Sequence, residues 1–204
     1  DTANLLALGQ MLSEAAFTQA FAALAKKLAK QAAKRAGGPI GLLSLPLAAS
    51  SFVRNPWHRA LVNSEKVGSL IAECIARCQS REFILIGHSL GARAVVSALI
   101  AFGTTSPARR TSRIVSASLL GGAIAADPQE GWELPASAVD HHIGNYWSDN
   151  DQTLKIAYRL GVLTYGRAVG IGPIPTMPQT VHKISSFDVT DLVPGHTRYH
   201  PVSY

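Results

Sequence analysis

The chain has 204 residues, of which 47% are hydrophobic and 16% charged, and it carries a formal net charge of +6. This length suits one domain with a sizeable core, and the composition is that of a globular chain rather than a largely disordered one. The positive charge favours anionic surfaces such as phospholipid head groups. No sequence motif for nucleic-acid recognition accompanies it, so we expect no nucleic-acid partner.

The first 54 residues are predicted to form a helical segment distinct from the rest of the chain. Apolar residues recur at helical spacing from Asn4 to Arg35, and Gly37-Gly38-Pro39 ends the pattern. Basic residues are concentrated near the end of this helix: Lys26, Lys27, Lys30, Lys34 and Arg35. One interpretation is that these cations interact favourably with the dipole at the C-terminus of the helix. The other is that they bind a membrane surface or a partner protein. The apolar stretch from Pro39 to Val53 is too short to span a bilayer, and a lid is one interpretation of it.

A second helix is predicted from Asn55-Pro56-Trp57 to about Cys78. Its two cysteines, Cys74 and Cys78, are four residues apart and therefore lie on one helical face, which favours buried thiols over a disulfide. This spacing, without a second Cys or His pair nearby, is not that of a zinc site. We therefore predict no metal site.

The most informative stretch is the run FILIGHSLGARA, residues 83–94. An apolar, β-favouring run enters the motif G-x-S-x-G, and an Ala-rich helical pattern follows it. In this context the serine occupies a sharp turn, and both flanking glycines are expected where a side chain would collide with backbone. We predict Ser89 as a nucleophile and the Leu90 N–H as an oxyanion donor. The alternative is an ordinary Gly-rich turn in which Ser89 only caps the helix.

The remaining elements alternate between helices and strands. In chain order they are a helix at 90–102, strands at 113–120 and 141–147, a helix at 151–163 and a strand at 182–188. This order predicts an α/β fold, with a parallel sheet flanked by helices, over residues 55–204.

A nucleophilic serine needs a base, and the base needs an acid that fixes its tautomer. In the chain order serine, acid, histidine, the acid follows the third strand. Asp149 and Asp151 both lie there. Either could reach the site, and either could instead cap the following helix, so the residues themselves leave both open.

The base is expected in the loop after the fourth strand. His196 lies in this loop, and the neighbouring Gly195 gives it freedom to turn inward. We predict His196 as the base and keep His200, four residues further on, as the alternative.

The second oxyanion donor has no obvious source before residue 83, because no strand ending in a Gly-rich turn precedes the motif. We therefore expect an N-terminal portion outside this sequence, or a second chain, to supply the early strands and the donor. Residues 37–40 are the alternative source.

The chain resembles the α/β-hydrolase superfamily and, within it, the transmembrane and coiled-coil domain hydrolase-like branch, which has lipase-like relatives. The matching pieces are Asn55-Pro56-Trp57, the stretch from Leu85 to Arg93, the segment from Asn145 to Asp151, and the run DVTDLVPGHTRY at residues 188–199. They span residues 55–199, which correspond to the C-terminal portion of such a fold. In that branch an Asn-Asp pair opens the helix after the acid strand, and this implies Asp151 as the acid.

The resemblance implies a serine hydrolase of carboxylic esters, lipase- or phospholipase-like, that works through an acyl-enzyme intermediate without a cofactor. Its substrate would be a lipid or another acyl ester, and a bacterial antagonistic lipase effector would fit these features. Two alternatives stay open: a catalytically silent interaction module of the same shape, and a thioesterase or peptidase that uses the same triad.

Overall fold

The computed structural model describes five stretches of the chain. They are residues 56–106, 110–126, 131–158, 166–175 and 182–199. The chain divides into two compact units, Asp1–His58 and Arg59–Tyr204. The predicted helical segment 1–54, with its basic cluster and the stretch from Pro39 to Val53, lies outside the described residues.

Four parallel strands form one sheet in the order β1-β2-β3-β4. They are β1 (Glu82–His88), β2 (Arg113–Leu120), β3 (Val139–Trp147) and β4 (Ile184–Asp188). The carboxyl ends of parallel strands meet at one edge of a sheet, so the segments that follow these four strands lie close together. The predicted α/β fold, with a parallel sheet flanked by helices, is confirmed.

Three α-helices accompany the described sheet: α1 (Pro56–Arg77), α2 (Leu90–Thr104) and α3 (Glu133–Ser137). α2 contributes the largest helical share of the core, because apolar side chains such as Val96, Leu99 and Phe102 are almost fully buried. α1 approaches α2 closely at Gly68, where an added Cβ would lie 2.4 Å from the Ala94 backbone oxygen. Among the described helices, none combines the length and hydrophobicity that crossing a membrane requires.

The two faces of the sheet differ in burial. Leu85, Ala117 and Ile143 are in register on neighbouring strands and join the core with α2. On the opposite face of β1, Ile84 is 63% exposed and Ile86 is 57% exposed. Parallel sheets normally have both faces covered. Within the described part of the chain, β1 therefore presents both an unpaired edge and an apolar exposed face.

Several element boundaries differ from the prediction. α3 forms where the sequence indicated a loop around Pro135, because proline is tolerated in the first turn of a helix. β4 begins at Ile184, since His182 lies in a turn. The helix predicted from residue 151 includes a π-helical turn, Leu154–Tyr158, and its later part lies outside the described residues.

The predicted burial of both cysteines is wrong. Cys74 is exposed, Cys78 is half-buried, and both thiols are free. α1 turns Ala72 and Ile75 toward the core instead, so the face that carries Cys74 points to solvent.

Candidate active site

Ser89 occupies a strained turn between β1 and α2. Its backbone has φ 57° and ψ −117°, a combination that residues other than glycine rarely adopt. Three backbone hydrogen bonds hold the turn: the Ser89 N–H donates to Leu120 O (3.0 Å), and Ser89 O accepts from the N–H groups of Ala92 (3.1 Å) and Ala123 (3.0 Å). The Ser89 side chain makes no capping bond. The interpretation of Ser89 as a mere helix cap is therefore wrong.

The two glycines of the motif have different roles. A Cβ at Gly87 would lie 2.4 Å from the backbone oxygen of Gly91, so no side chain fits there. A Cβ at Gly91 would meet nothing within 4 Å in the described part of the chain. The expected collision is thus found at Gly87, and the expectation for Gly91 is wrong because its Cα–Cβ direction points into open space.

Ser89, His196 and Asp151 lie in one hydrogen-bonded row. His196 Nδ1 is 2.6 Å from Asp151 Oδ2, and His196 Nε2 is 2.8 Å from Ser89 Oγ. A carboxylate oxygen only accepts, so Nδ1 carries the proton and donates it to Asp151. Nε2 of the neutral ring is then an acceptor, and the Ser89 hydroxyl donates to it. All three residues are buried, with Asp151 at 0% exposure.

Asp151 makes both of the contacts that the sequence presented as alternatives. Its Oδ2 faces His196, while its Oδ1 accepts a hydrogen bond of 2.9 Å from the Leu154 N–H. The second contact is that of a helix N-cap, which satisfies a backbone donor of the first turn. Because both carboxylate oxygens are bonded, the orientation of the carboxyl plane is fixed.

The alternative residues lie elsewhere. The Asp149 side chain is 66% exposed and pairs with Lys155 at 2.7 Å, so it is directed away from His196. His200 and residues 37–40 lie outside the described residues.

Leu90 is the first residue of α2, where backbone N–H groups lack intrahelical acceptors. Among the described residues, no cluster of His, Cys, Asp and Glu is suited to hold a metal ion.

Tyr199 is buried beside Asp151 and was not singled out from the sequence as a site residue. Its ring occupies the space beside Gly121 (φ 51°), where a Cβ would lie 2.6 Å from a ring carbon. Its hydroxyl donates to Gly170 O at 3.3 Å. Burial, and after it the neighbouring Asp151 carboxylate, raise the pKa of Tyr199, so its hydroxyl stays protonated. The available signal was the run GHTRY, in which Tyr199 follows His196 by three residues.

Comparison with known proteins identifies a family without an assigned activity. A family model described as "Protein of unknown function (DUF726)" matches residues 1–202. No solved structure matches the chain significantly.

Three curated relatives illustrate the range of similar proteins. The rice "Transmembrane and coiled-coil domain-containing protein STS1" is 33% identical over 86% of this chain and 26% of its own length. The Caenorhabditis elegans "Uncharacterized membrane protein F35D11.3" is 29% identical over 79% of this chain and 25% of its own. The Saccharomyces cerevisiae "Probable lipase MIL1" is 27% identical over 78% of this chain and 15% of its own. The chain thus spans about a quarter or less of the length of these relatives.

Proposed function

The chain belongs to the DUF726 family, and we propose that it is a serine hydrolase of carboxylic esters that acts through Ser89, His196 and Asp151. The observation that carries the proposal is the hydrogen-bonded row from Ser89 Oγ through both ring nitrogens of His196 to the Asp151 carboxylate. A weakly nucleophilic hydroxyl, a neutral imidazole beside it and an oriented acid are the parts that nucleophilic acyl transfer requires.

The reaction begins when Ser89 Oγ attacks the acyl carbon of the ester. His196 Nε2 takes the hydroxyl proton, and the Asp151 carboxylate stabilises the resulting imidazolium. The tetrahedral intermediate collapses, the C–O bond to the alcohol breaks, and His196 returns its proton to the departing oxygen. Water then attacks the acyl-enzyme by the same route, which releases the acid and restores Ser89. None of these steps uses a metal or an organic cofactor.

The oxyanion of the intermediate needs two donors, of which this chain supplies the Leu90 N–H. The second belongs to polypeptide beyond the described residues, either more of the same protein or a second chain. The edge position of β1 in the described part of the sheet supports this proposal, as do the exposed side chains of Ile84 and Ile86, which additional strands or helices would cover. The greater length of the relatives supports it too. Loss of one such donor typically lowers turnover about 10²–10³-fold.

The substrate class that we propose is a lipid ester at an anionic surface. The net charge of +6 favours such a surface. Leu192, on the loop that carries His196, is 67% exposed, and an exposed apolar side chain suits contact with a lipid. One relative carries the name "Probable lipase MIL1".

The test of hydrolase activity combines a fluorophosphonate probe with p-nitrophenyl esters of short and long acyl chains. We expect the probe to label Ser89 in the native protein and to fail with Ser89→Ala. Hydrolysis should be lost in Ser89→Ala and His196→Ala, and a preference for long chains would indicate a lipase. A folded protein that neither reacts with the probe nor cleaves any ester would instead be a hydrolase-shaped interaction module.

The proposal about the second donor is tested on the rice relative. Its full-length form is compared with the segment that matches this chain, by the rate of probe labelling. We expect the full-length protein to label at least ten times faster, in line with the roughly 10²–10³-fold effect of one donor. Equal rates would show that the segment already contains a complete oxyanion hole.

A further inference from the structure

His88, the residue before Ser89, contacts the loop that carries His196. Its ring Nε2 lies 2.7 Å from the backbone oxygen of His196. A carbonyl oxygen only accepts, so Nε2 of His88 carries a proton and donates it. This hydrogen bond joins positions 108 residues apart. It connects the end of β1, which presents the nucleophile, directly to the backbone of the proposed base.

Ring contacts reinforce the connection. The His88 ring centroid is 4.9 Å from that of His196 and 5.5 Å from that of Tyr199, with interplanar angles of 40° and 42°. Tyr199 is held in turn, because its ring fills the space beside Gly121 and its hydroxyl donates to Gly170 O. His88 therefore contacts both the proposed base and a ring that is itself buried and anchored.

The loop before His196 needs such an anchor. Residues 189–196 form no strand or helix, and Gly195 precedes the histidine directly. A glycine at this position leaves the backbone more conformational freedom than any other residue would. A base that moves by about 1 Å can lose on the order of 100-fold in rate. The bond to His88 restricts the backbone at the residue where such a shift would matter.

We propose that His88 is a positioning residue, which holds the backbone of His196 so that its imidazole stays within hydrogen-bond distance of both Ser89 and Asp151. The inference rests on the proposed hydrolase function. His88 acts through His196 in this proposal, because its ring Nε2 bonds the backbone oxygen of that residue, while Ser89 Oγ bonds the His196 ring. The variable position of the G-x-S-x-G motif thus has a defined structural role in this chain.

The test compares His88→Leu with His88→Gln. Leucine retains apolar bulk but has no donor, whereas the glutamine amide can place an N–H near the position of the imidazole Nε2. We expect the rate of fluorophosphonate labelling at Ser89 to fall about 10–100-fold in His88→Leu. His88→Gln should recover most of this loss. With an ester substrate, kcat should fall while KM stays the same, because a displaced base slows the chemical step rather than substrate binding.

Two outcomes of this comparison would overturn the proposal. One is labelling of His88→Leu at the native rate. The other is an equal loss in both variants together with a lower melting temperature, which would indicate a general packing role.

A second readout does not depend on catalysis. The Nδ1 proton between His196 and Asp151 should give a low-field imidazole signal in the NMR spectrum of the native protein and of His88→Gln. In His88→Leu we expect this signal to broaden or vanish through exchange with water. An unchanged signal in His88→Leu would refute the positioning role even if the native protein does not react with the probe. Failure of the probe would contradict only the hydrolase function.

Discussion

The Ser148 hydroxyl donates a hydrogen bond of 2.7 Å to the backbone oxygen of Val193, and this bond joins the segment that carries Asp151 to the loop that carries His196. Both residues are fully buried. Thr190 adds two contacts between the same segments, since its Oγ1 accepts from the Asp149 N–H and its carbonyl from the Asn150 side chain, each at 3.0 Å. Asp151 and His196 are thus connected through the segments that carry them as well as through their side chains.

Replacing Ser148 with alanine should destabilise the protein. The change leaves the Val193 oxygen buried without this donor, and it removes the acceptor of the Asn150 N–H (3.1 Å). A buried polar group left unpaired costs about 1–3 kcal/mol. Urea denaturation measures the difference in free energy of unfolding. Ser137→Ala is the matched control, since its hydroxyl also donates to a backbone oxygen (Leu134, 2.8 Å) but is exposed. An equal loss in both variants would contradict the argument.

The choice of Asp151 over Asp149 is tested by two amide substitutions. Asp151→Asn should lower ester hydrolysis by up to about 10⁴-fold, because the amide no longer favours the productive His196 tautomer or stabilises its charged form. Asp149→Asn should leave hydrolysis unchanged, since it removes only an exposed ion pair with Lys155, worth about 0–1 kcal/mol. Steady-state kinetics on p-nitrophenyl esters measures the loss of activity in each variant and so shows which aspartate hydrolysis requires. A larger loss in Asp149→Asn would reverse the assignment.

The two glycines of the motif should respond differently to alanine. Gly87→Ala places a methyl group 2.4 Å from the Gly91 oxygen, a backbone atom that cannot move without opening the turn. We expect a loss of several degrees in melting temperature or failure to fold. The methyl group of Gly91→Ala would meet no atom of the described residues within 4 Å, so this variant should melt within a few degrees of the native protein. Thermal unfolding followed by circular dichroism checks both, and similar melting temperatures for the two variants would contradict the predicted difference.

Stability at alkaline pH should depend on Tyr158 and Tyr199. Burial raises the pKa of both, so the folded protein keeps these hydroxyls protonated, whereas an unfolded tyrosine ionises near pH 10. Above pH 10 the unfolded state therefore releases a proton that the folded state retains, and the free energy of unfolding falls as pH rises. Each tyrosine contributes up to about 1.4 kcal/mol per pH unit. Urea denaturation between pH 8 and 11 should show a shallower fall in each phenylalanine variant, and an unchanged slope would contradict this.

At neutral pH the two phenylalanine variants, Tyr158→Phe and Tyr199→Phe, should differ in their free energy of unfolding. Tyr199→Phe loses the hydrogen bond to Gly170 O and should cost about 0.5–1.5 kcal/mol. The Tyr158 hydroxyl is buried and has no hydrogen-bond partner among the described residues. Tyr158→Phe removes this unsatisfied group, so it should be neutral or stabilising. The free energies of unfolding at pH 7 distinguish the two, and an equal cost would contradict the difference.

Local sequence patterns were enough to predict most of the strands, helices and turns that carry the residues of the candidate site. β2 begins and ends where the apolar run indicated, from Arg113 to Leu120, and the turn at Ser89 follows from an apolar strand that enters a Gly-flanked serine. Chain order then limited the acid to Asp149 or Asp151 and favoured His196 over His200 as the base, and the family resemblance implied Asp151. Asp151 and His196 lie in the same row as Ser89. These features are readable because strand periodicity, helix periodicity and glycine requirements act over a few neighbouring residues.

The contacts within the candidate site are visible only in the tertiary structure. The sequence could not show that one oxygen of Asp151 caps a helix while the other faces His196, nor that Gly91 has open space where Gly87 has none. It also did not reveal that His88 and Tyr199 lie against the proposed base. The contact of Asp151 with His196 spans 45 residues and that of His88 spans 108. Such contacts depend on how the sheet brings distant loops to one edge, and no local pattern of residues encodes their distances.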